Sequence, residues 1–431
     1  MINLTTYEQE MLDGKHGKLK QTALSNIVDY ARILGAEELC EITKATVYCG
    51  AHSYLDVVNI NNPQETFSKI NLGVDEIIPF NETDSNCFAQ SCVCVCDMKC
   101  HEEFNVTKEK YELNLEYLKM ASEAGVIIAN TCTPYLNGWI PAMGEHFVTT
   151  ESGVTTIGNS IFGSRCNADG IEAAFWSAIC GRTPKWGMHV PENRAGTHLF
   201  IVDTPVETKL EFDILGAVIG KNLPYGGIPV VAGDLRRVNF DKLRQMMTSV
   251  AITSNCELCH VVGYTPEALT QDLAFMGKKP LGAVKITEEM MAKLYNETCD
   301  DTENEIDFVS IGCPHLDISN IKEIAAYLKD KKINEKVHLG LWTSYPIKHM
   351  AEVNGYLEIV EKAGGHVFTD TCPPTIGPEY IGQYKGMVFD SFKMCKNLKN
   401  KSTADIYFGD VKACLDAAIS GKWEADYRWR K

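Results

Sequence analysis

Three cysteines far apart in the sequence each follow a short run of apolar residues. Cys132, Cys313 and Cys372 lie in the stretches 126–135, 307–315 and 365–374. Short β-rich runs bounded by glycine or proline are typical of buried strands, and a proline one or two residues after each cysteine turns the chain. Since parallel sheets place their ligand sites at the carboxyl ends of the strands, we expect these three thiolates to hold an iron–sulfur cluster.

The elements that position these cysteines are predicted from the alternation of apolar patterns. From residue 306 onward the pattern predicts a strand, a helix over 321–331, a strand over 337–342, a helix over 351–363 and a strand over 366–371. This is a βαβαβ unit, in which two of the three cysteines end strands. Nearer the amino terminus, residues 5–35 and 107–124 are predicted to be helical, and the second helix leads into the stretch that carries Cys132.

Composition indicates an ordinary globular protein of two or three domains, with 431 residues, of which 45% are hydrophobic and 23% charged. We divide it into an α/β domain with the first cysteine (1–200), a second α/β domain (201–300) and a third with the other two cysteines (301–431). The net charge of −16 argues against nucleic-acid and membrane partners. No signal-peptide core or membrane-length run is present, so we expect a cytoplasmic protein whose 17 cysteines are free thiols or metal ligands.

The densest group of cysteines lies elsewhere, at Cys87, Cys92, Cys94, Cys96 and Cys100. The alternation over 92–96 predicts a strand with three thiols on one face. Zinc sites usually use C-x-x-C spacing, so the favoured interpretation is a set of small apolar core residues; a zinc site remains the alternative. The c-type haem pattern Cys256-Glu-Leu-Cys259-His260 has no export signal to accompany it, and inert buried thiols are expected there.

Seven short motifs occur in a fixed order along the chain. They are Thr131-Cys-Thr-Pro-Tyr135, Gly144-Glu-His146, Asn159-Ser-x-x-Gly-Ser-Arg165, Gly181-Arg-Thr-Pro184, His260-Val-Val-Gly-Tyr-Thr-Pro-Glu-Ala268, Gly312-Cys-Pro-His315 and Thr369-Asp-Thr-Cys372. Together they resemble the large subunit of aconitase X, a divergent branch of the aconitase superfamily. The resemblance covers nearly the whole chain.

The resemblance implies an aconitase-like fold, with several three-layer α/β domains around a central cluster site. It also implies a hydro-lyase that dehydrates a small hydroxy acid. The expected substrate is cis-3-hydroxy-L-proline, with mevalonate 5-phosphate as the alternative. Three protein thiolates would leave one iron of a [4Fe-4S] cluster open to act as a Lewis acid; family members can carry smaller clusters, such as [2Fe-2S].

The resemblance also assigns candidate substrate-binding residues by position. Gly50 and Ala51 fall in the first substrate loop of the family, Ser152 in its Glu-Ser-Ser segment and Lys393 in its Ser-x-Lys segment. Arg165 is the natural clamp for a substrate carboxylate, because a guanidinium binds a carboxylate through two parallel hydrogen bonds. Ser152, Arg165 and Lys393 are therefore the candidate catalytic residues.

Each of these three roles has a plainer alternative. Ser152 can simply cap a helix, Lys393 can be a surface lysine, and Arg165 can pair with Glu145 or Glu151. Substrate-contacting regions also depart from the family pattern, since a glycine replaces a second serine at position 153 and the 87–100 cysteines replace a strand rich in threonine and asparagine. A cluster-containing sensor or scaffold without catalysis is therefore a second reading.

The covering domain of aconitase-like enzymes has no counterpart in the sequence. In those enzymes a swivelling domain covers the cluster and supplies the catalytic serine; in aconitase X it is a small subunit, either fused or encoded separately. After Lys393 only a short helical tail over 410–423 is predicted. We therefore expect a separate small-subunit partner and an active site at the interface of the two chains.

Overall fold

The structure is a computed structural model that describes residues 2–49, 62–300, 302, 304–399, 401–424 and 427–429. Gly50 and Ala51, assigned to the first substrate loop, lie outside the described residues. Within the described ranges, no helix is both long and apolar enough to cross a lipid bilayer.

The amino-terminal part is built on a small parallel sheet. The strands of this part are β1 Leu39–Glu41, β2 Lys44–Val47, β3 Phe88–Ser91, β4 Phe147–Val148 and β5 Arg182–Pro184. The order β3-β2-β4 is parallel, while β1 and β5 form an antiparallel ribbon. The α-helices are Thr6–Leu12, Lys18–Leu34, Pro63–Thr66, Lys108–Glu123, Ser152–Ile161 and Ile171–Cys180.

The middle part is a four-stranded parallel sheet. It contains β6 His198–Val206, β7 Pro229–Leu235, β8 His260–Val261 and β9 Gly282–Ile286, in the order β8-β7-β6-β9. Its α-helices are Lys209–Asn222, Phe240–Ser254, Gln271–Ala274 and Glu288–Thr298.

The carboxyl-terminal part is a five-stranded parallel sheet with the predicted βαβαβ order. Its strands are β10 Phe308–Leu316, β11 His338–Thr343, β12 Gly365–Phe368, β13 Gly386–Phe389 and β14 Asp405–Phe408, in the order β12-β11-β10-β13-β14. Its α-helices are Ile318–Leu328, Tyr345–Val353, Tyr356–Ala363, Pro373–Ile376, Pro378–Ile381, Phe392–Leu398 and Val411–Ser420.

One hydrophobic core joins the three parts. Its buried members include Trp139 and Phe147 from the first part, Phe200 from the second, and Phe308 and Trp342 from the third. Continuous apolar packing of this kind fixes the parts against one another. The loops at their common boundary are thereby held in place, and this boundary is where the three cysteines lie.

Two predicted strands differ in the structure. The alternating segment 92–96 is not a strand, because β3 ends at Ser91 and the following residues form a buried loop. The amide of Cys92 still donates to the Val47 carbonyl of β2 at 2.8 Å, but the amide of Cys94 donates to the carbonyl of Asp370 at 2.6 Å, so the loop leaves the sheet and is bonded to the third part. The stretch before Cys132 makes a single β-bridge, between Ile127 and Gln90. The backbone amides of Ala129 and Asn130 then donate to the Ser91 hydroxyl.

Gly312, just before Cys313, has a conformation that we expect only glycine to tolerate. Its φ is +123°, and an added Cβ would lie 2.5 Å from the Trp342 carbonyl oxygen. Gly377 has a similar φ of +120° but no atom within 4 Å of the Cβ position. Since positive φ costs about 1–3 kcal/mol at both sites and the clash arises only at Gly312, Gly312→Ala should destabilise the protein by roughly 2 kcal/mol more than Gly377→Ala. Thermal unfolding measures the difference; equal losses would show that the Trp342 contact is harmless.

Candidate active site

The three predicted cluster cysteines come together from distant parts of the chain. Cys313 lies in an irregular stretch of β10, and Cys372 directly precedes the helix Pro373–Ile376. Burial raises the pKa of the Cys132 thiol well above its usual value, and Glu151, Cys372 and Cys313 raise it further. The three thiols are therefore close enough to act on one another electrostatically, and each of the three cysteines is half-buried.

Residues with a left-handed backbone conformation turn the chain just before two of the cysteines, Cys132 and Cys372. Asn130 has a φ of +43° and Asp370 a φ of +67°, and each stands two residues before its cysteine. Asparagine and aspartate tolerate this conformation better than other side chains. The side-chain amide of Asn130 also donates to the Asp370 carboxylate at 2.9 Å. The two cysteine loops, Asn-Thr-Cys and Asp-Thr-Cys, are thus matched in sequence and bonded to each other.

His315 joins all three cysteine loops. Its Nε2–H donates to the carbonyl of Thr371 at 2.9 Å, its Nδ1 accepts from the Thr131 hydroxyl at 3.0 Å, and its backbone amide donates to the Cys132 Sγ at 3.4 Å. Burial lowers the pKa of His315 to about 4, so the ring is neutral near pH 7 and this tautomer satisfies both nitrogens. In the sequence, the signal for this role was the place of His315 at the end of the motif Gly312-Cys-Pro-His315.

The middle part supports the Cys313 loop from behind. Arg244 is fully buried, pairs with Asp241 at 2.6 Å and donates to the carbonyl of His315 at 3.0 Å. The neighbouring Gln245 donates to the carbonyl of Cys313 at 3.2 Å. The helix Phe240–Ser254 thus fixes the backbone of this loop through two side chains.

Lys393 faces the cysteines and is not a surface lysine. Its ammonium pairs with the Glu151 carboxylate at 2.5 Å, and its side chain is only 15% exposed. Burial lowers the pKa of Lys393, but Glu151 and the Cys313 thiol outweigh this effect, and the net shift is upward. Lys393 is therefore a permanent cation beside the thiols.

The other two candidate residues lie further from the thiols in the fold. Ser152 begins the helix Ser152–Ile161, with Glu151 at its N-cap position, and it lines a cavity of about 620 Å³ on the side of Trp186 and Cys256. This placement puts Ser152 one residue from the Glu151–Lys393 pair. Its roles in binding and catalysis stay predictions.

Arg165 lies at the amino-terminal edge of the small sheet, where its backbone bridges that of His146. Glu151, by contrast, follows the carboxyl end of β4. Neither carboxylate considered as a partner binds Arg165, since Glu145 pairs with Lys44 at 2.6 Å and Glu151 with Lys393. The structure therefore does not bring Arg165 together with Lys393, and its role as a carboxylate clamp stays a prediction.

A buried carboxylate, Asp213, connects the middle part to the segment that carries Lys393. It accepts hydrogen bonds from Ser249, from Gln245 at 2.9 Å and from the amide of Phe392 at 2.9 Å. Burial raises the pKa of Asp213 to about 7, although these hydrogen bonds lower it. An unfolded aspartate ionises near pH 4, so the unfolded chain binds fewer protons than the folded one between about pH 4 and pH 7. Asp213 therefore costs stability as the pH rises through this window.

Asp213→Asn should remove that cost while keeping the hydrogen-bonding shape. Relative to the wild type, the variant is expected to gain stability from pH 5 to pH 8, by at most about 1.4 kcal/mol per pH unit. Urea unfolding at the two pH values measures the change. Asp75→Asn, on an exposed loop, is the control. A difference between variant and wild type that is the same at both pH values would contradict this account.

Comparison with known proteins identifies the family. Models of the aconitase X first, second and third domains match residues 1–192, 196–296 and 306–420. The chain belongs to the aconitase X family. The crystal structure of Thermococcus kodakaraensis aconitase X in its holo form superimposes with a TM-score of 0.81 at 25% identity, covering 97% of this chain and 100% of that one. The fold is therefore the aconitase X fold.

Two kinds of curated relative are similar to this aconitase X protein. The phosphomevalonate dehydratase large subunit of Methanocaldococcus jannaschii is 29% identical, over 96% of this chain and 99% of its own length. The cis-3-hydroxy-L-proline dehydratase of Pseudomonas aeruginosa is 25% identical, over 97% of this chain and 70% of its own length. These relatives are dehydratases, and this aconitase X protein is accordingly an enzyme of the hydro-lyase class.

Proposed function

We propose that Cys132, Cys313 and Cys372 bind an iron–sulfur cluster in this enzyme. The observation that carries the proposal is the convergence of three half-buried cysteines, which come from two parts of the chain and whose loops are joined by His315. Thiolates are the usual protein ligands of such clusters, and cluster binding would release the thiol protons. Lys393 would then offset part of the negative charge. The family points to the same cofactor, with [4Fe-4S] and [2Fe-2S] as the candidate forms.

The reaction supported best is removal of water from a small hydroxy acid. An iron with an open position supplies Lewis acidity toward a substrate hydroxyl. Around it, Lys393 is placed to hold a substrate carboxylate, since it keeps its charge in a buried site. His315, Arg244 and Gln245 hold the loops rigid, which keeps substrate and cofactor in one geometry.

The charges around the thiols favour cis-3-hydroxy-L-proline as the substrate. Lys393 pairs with Glu151, Arg244 with Asp241, and Lys209 lies 3.6 Å from Asp241 and 4.0 Å from Asp390. Each of these cations already has a carboxylate, so a substrate carboxylate would share Lys393 with Glu151, and a phosphate dianion would have to compete for further paired cations. An amino acid with one carboxylate needs fewer cations from the site. Mevalonate 5-phosphate is the second candidate, favoured by the 29% identity to the Methanocaldococcus relative.

A separate small subunit is proposed as the partner that completes the site. The support is the match to chains named large subunits, over 99% of the Methanocaldococcus relative and 93% of that from Thermococcus kodakarensis. The pair would work in the cytoplasm, where thiols stay reduced.

The test is anaerobic co-purification with the candidate small subunit, followed by assays of both substrates. With cis-3-hydroxy-L-proline, loss of water should give an enamine that tautomerises to a cyclic imine, detectable by mass. Turnover of mevalonate 5-phosphate alone would favour the second candidate. A bound cluster with turnover of neither compound would favour the sensor or scaffold, and full turnover by this chain alone would exclude the partner.

A further inference from the structure

A second group of metal-binding side chains lies in the amino-terminal part. Cys40 lies in β1, His146 directly precedes β4, and His189 ends the short 3₁₀ turn Gly187–His189. The Cys40 sulfur and one ring nitrogen of each histidine lie within 4.8 Å of one another. Within the described ranges of the chain, this is the one set of three histidine, cysteine or acidic side chains whose ligand atoms approach so closely.

This group is separate from the three active-site cysteines. His146 stands at the amino end of β4, whereas Glu151, which acts on the Cys132 thiol, follows the carboxyl end of the same strand. Cys40 belongs to the β1–β5 ribbon, where it is paired with Thr183. The group therefore lies at the opposite edge of the small sheet from the proposed cluster.

The two imidazole rings meet in a way that suits a shared metal ion. Their Nδ1 atoms lie 2.9 Å apart, a hydrogen-bond distance. Two nitrogens that each lie about 2.0–2.1 Å from one tetrahedral zinc ion are about 3.3–3.4 Å apart, so the rings would separate slightly to admit the ion. His189 is fully buried, and its Nε2 has no hydrogen-bond partner in the structure. An ion bound at Nδ1 would leave Nε2 as it is, so the observation that carries the site is the grouping of the three ligand atoms.

The charge states of the two histidines suit a metal. Burial lowers the pKa of His146 to about 4 and that of His189 well below its usual value, and nearby cations add to both effects. Both rings are therefore in the neutral form that binds metals. Burial raises the pKa of the Cys40 thiol to about 12, so the ion would have to displace that proton against a cost. The Cys40 thiol donates to the Thr183 carbonyl at 3.7 Å.

Three cations lie near the His146 ring: Arg165, Lys185 and Arg194. Two of them are already neutralised, since Lys185 pairs with Glu38 at 2.5 Å and Arg194 with Glu267 at 2.5 Å. Arg165 opposes a positive ion, and the Cys40 thiolate would offset one charge of that ion.

We propose that Cys40, His146 and His189 bind a divalent zinc-type ion that joins β1, the start of β4 and the 187–189 turn. One thiolate and two imidazoles form a donor set typical of zinc. The fourth position is left to water. Cys40 and His146 are 106 residues apart in sequence, and His146 and His189 are 43 residues apart, so no short spacing motif predicts the site.

Element-specific measurements on the anaerobically purified enzyme test this proposal. Elemental analysis should find about one zinc per chain, and zinc X-ray absorption should show a shell of one sulfur and two imidazole nitrogens. Zinc bound by the active-site cysteines would show three sulfurs instead. Absence of zinc, with none bound after zinc is added, or a shell without sulfur, would overturn the proposal.

Variants give an independent readout that the cluster does not affect. Cys40→Ser and His146→Gln should lose zinc while iron and acid-labile sulfide are unchanged. Cys180→Ser, a buried thiol of the same part, and His349→Ala, an exposed histidine, should keep zinc. Zinc retained in both ligand variants would overturn the assignment. Where a variant does not fold, the absorption spectrum of the wild type still decides.

Discussion

Cys132→Ser, Cys313→Ser and Cys372→Ser are each expected to lose iron and acid-labile sulfide together. A serine hydroxyl is a harder and much weaker ligand for iron–sulfur clusters than a thiolate, and two thiolates from distant loops cannot replace three. Dehydration should fall by roughly a thousandfold or more, since a Lewis acid stabilises developing charge by several kcal/mol and each 1.4 kcal/mol is about tenfold in rate. Iron and sulfide analysis of anaerobically purified enzyme, with the substrate assay beside it, measures both losses.

Cys92→Ser is the matched control for these three variants. Cys92 is buried and close enough to Cys372 for the two thiols to interact electrostatically, yet it belongs to the 87–100 group that we assign to the core. It should keep its iron and acid-labile sulfide. Iron that survives the three active-site changes but is lost with Cys92→Ser would move the cluster to the 87–100 thiols and remove the basis of the proposed mechanism.

The larger elements and the convergence of the cysteines followed from local sequence patterns. The βαβαβ order over 306–371 rests on apolar periodicity, which records burial directly, and the structure has it. The 92–96 segment shows the limit of such patterns. Its alternation predicts a strand, but the backbone amide of Cys94 is bonded to the carbonyl of Asp370, 276 residues away. A local sequence pattern does not contain that partner.

The parts of the site that escaped sequence analysis are pairings between distant residues. Glu151 was noted only as a possible partner of Arg165, although the structure gives it to Lys393. His315 gains its importance from Thr131 and Thr371, which lie in two other loops. The repeated motifs Asn130-Thr-Cys and Asp370-Thr-Cys were the available sequence signal for such a pairing. In both, a residue that tolerates a left-handed backbone stands two residues before the cysteine.

Lys393→Met is expected to lower dehydratase kcat/KM by roughly a hundredfold while the iron content stays unchanged. The methionine keeps most of the side-chain volume but removes the cation proposed to hold the substrate carboxylate, and a charge-assisted contact in a buried site contributes about 2–4 kcal/mol. The same change leaves the Glu151 carboxylate without its partner. Breaking one side of a buried ion pair costs about 3–5 kcal/mol, so the variant should also unfold at a lower temperature.

A double-variant cycle separates these two effects. Glu151→Gln with Lys393→Met removes both charges, so the unpaired-charge cost disappears and thermal stability should return close to that of the wild type. Activity should stay as low as in Lys393→Met alone, because the cation is still missing. If the double variant regained activity along with stability, Lys393 would serve only to neutralise Glu151, and the substrate carboxylate would need another partner. Arg165 would then be the first residue to test, since neither Glu145 nor Glu151 occupies its guanidinium.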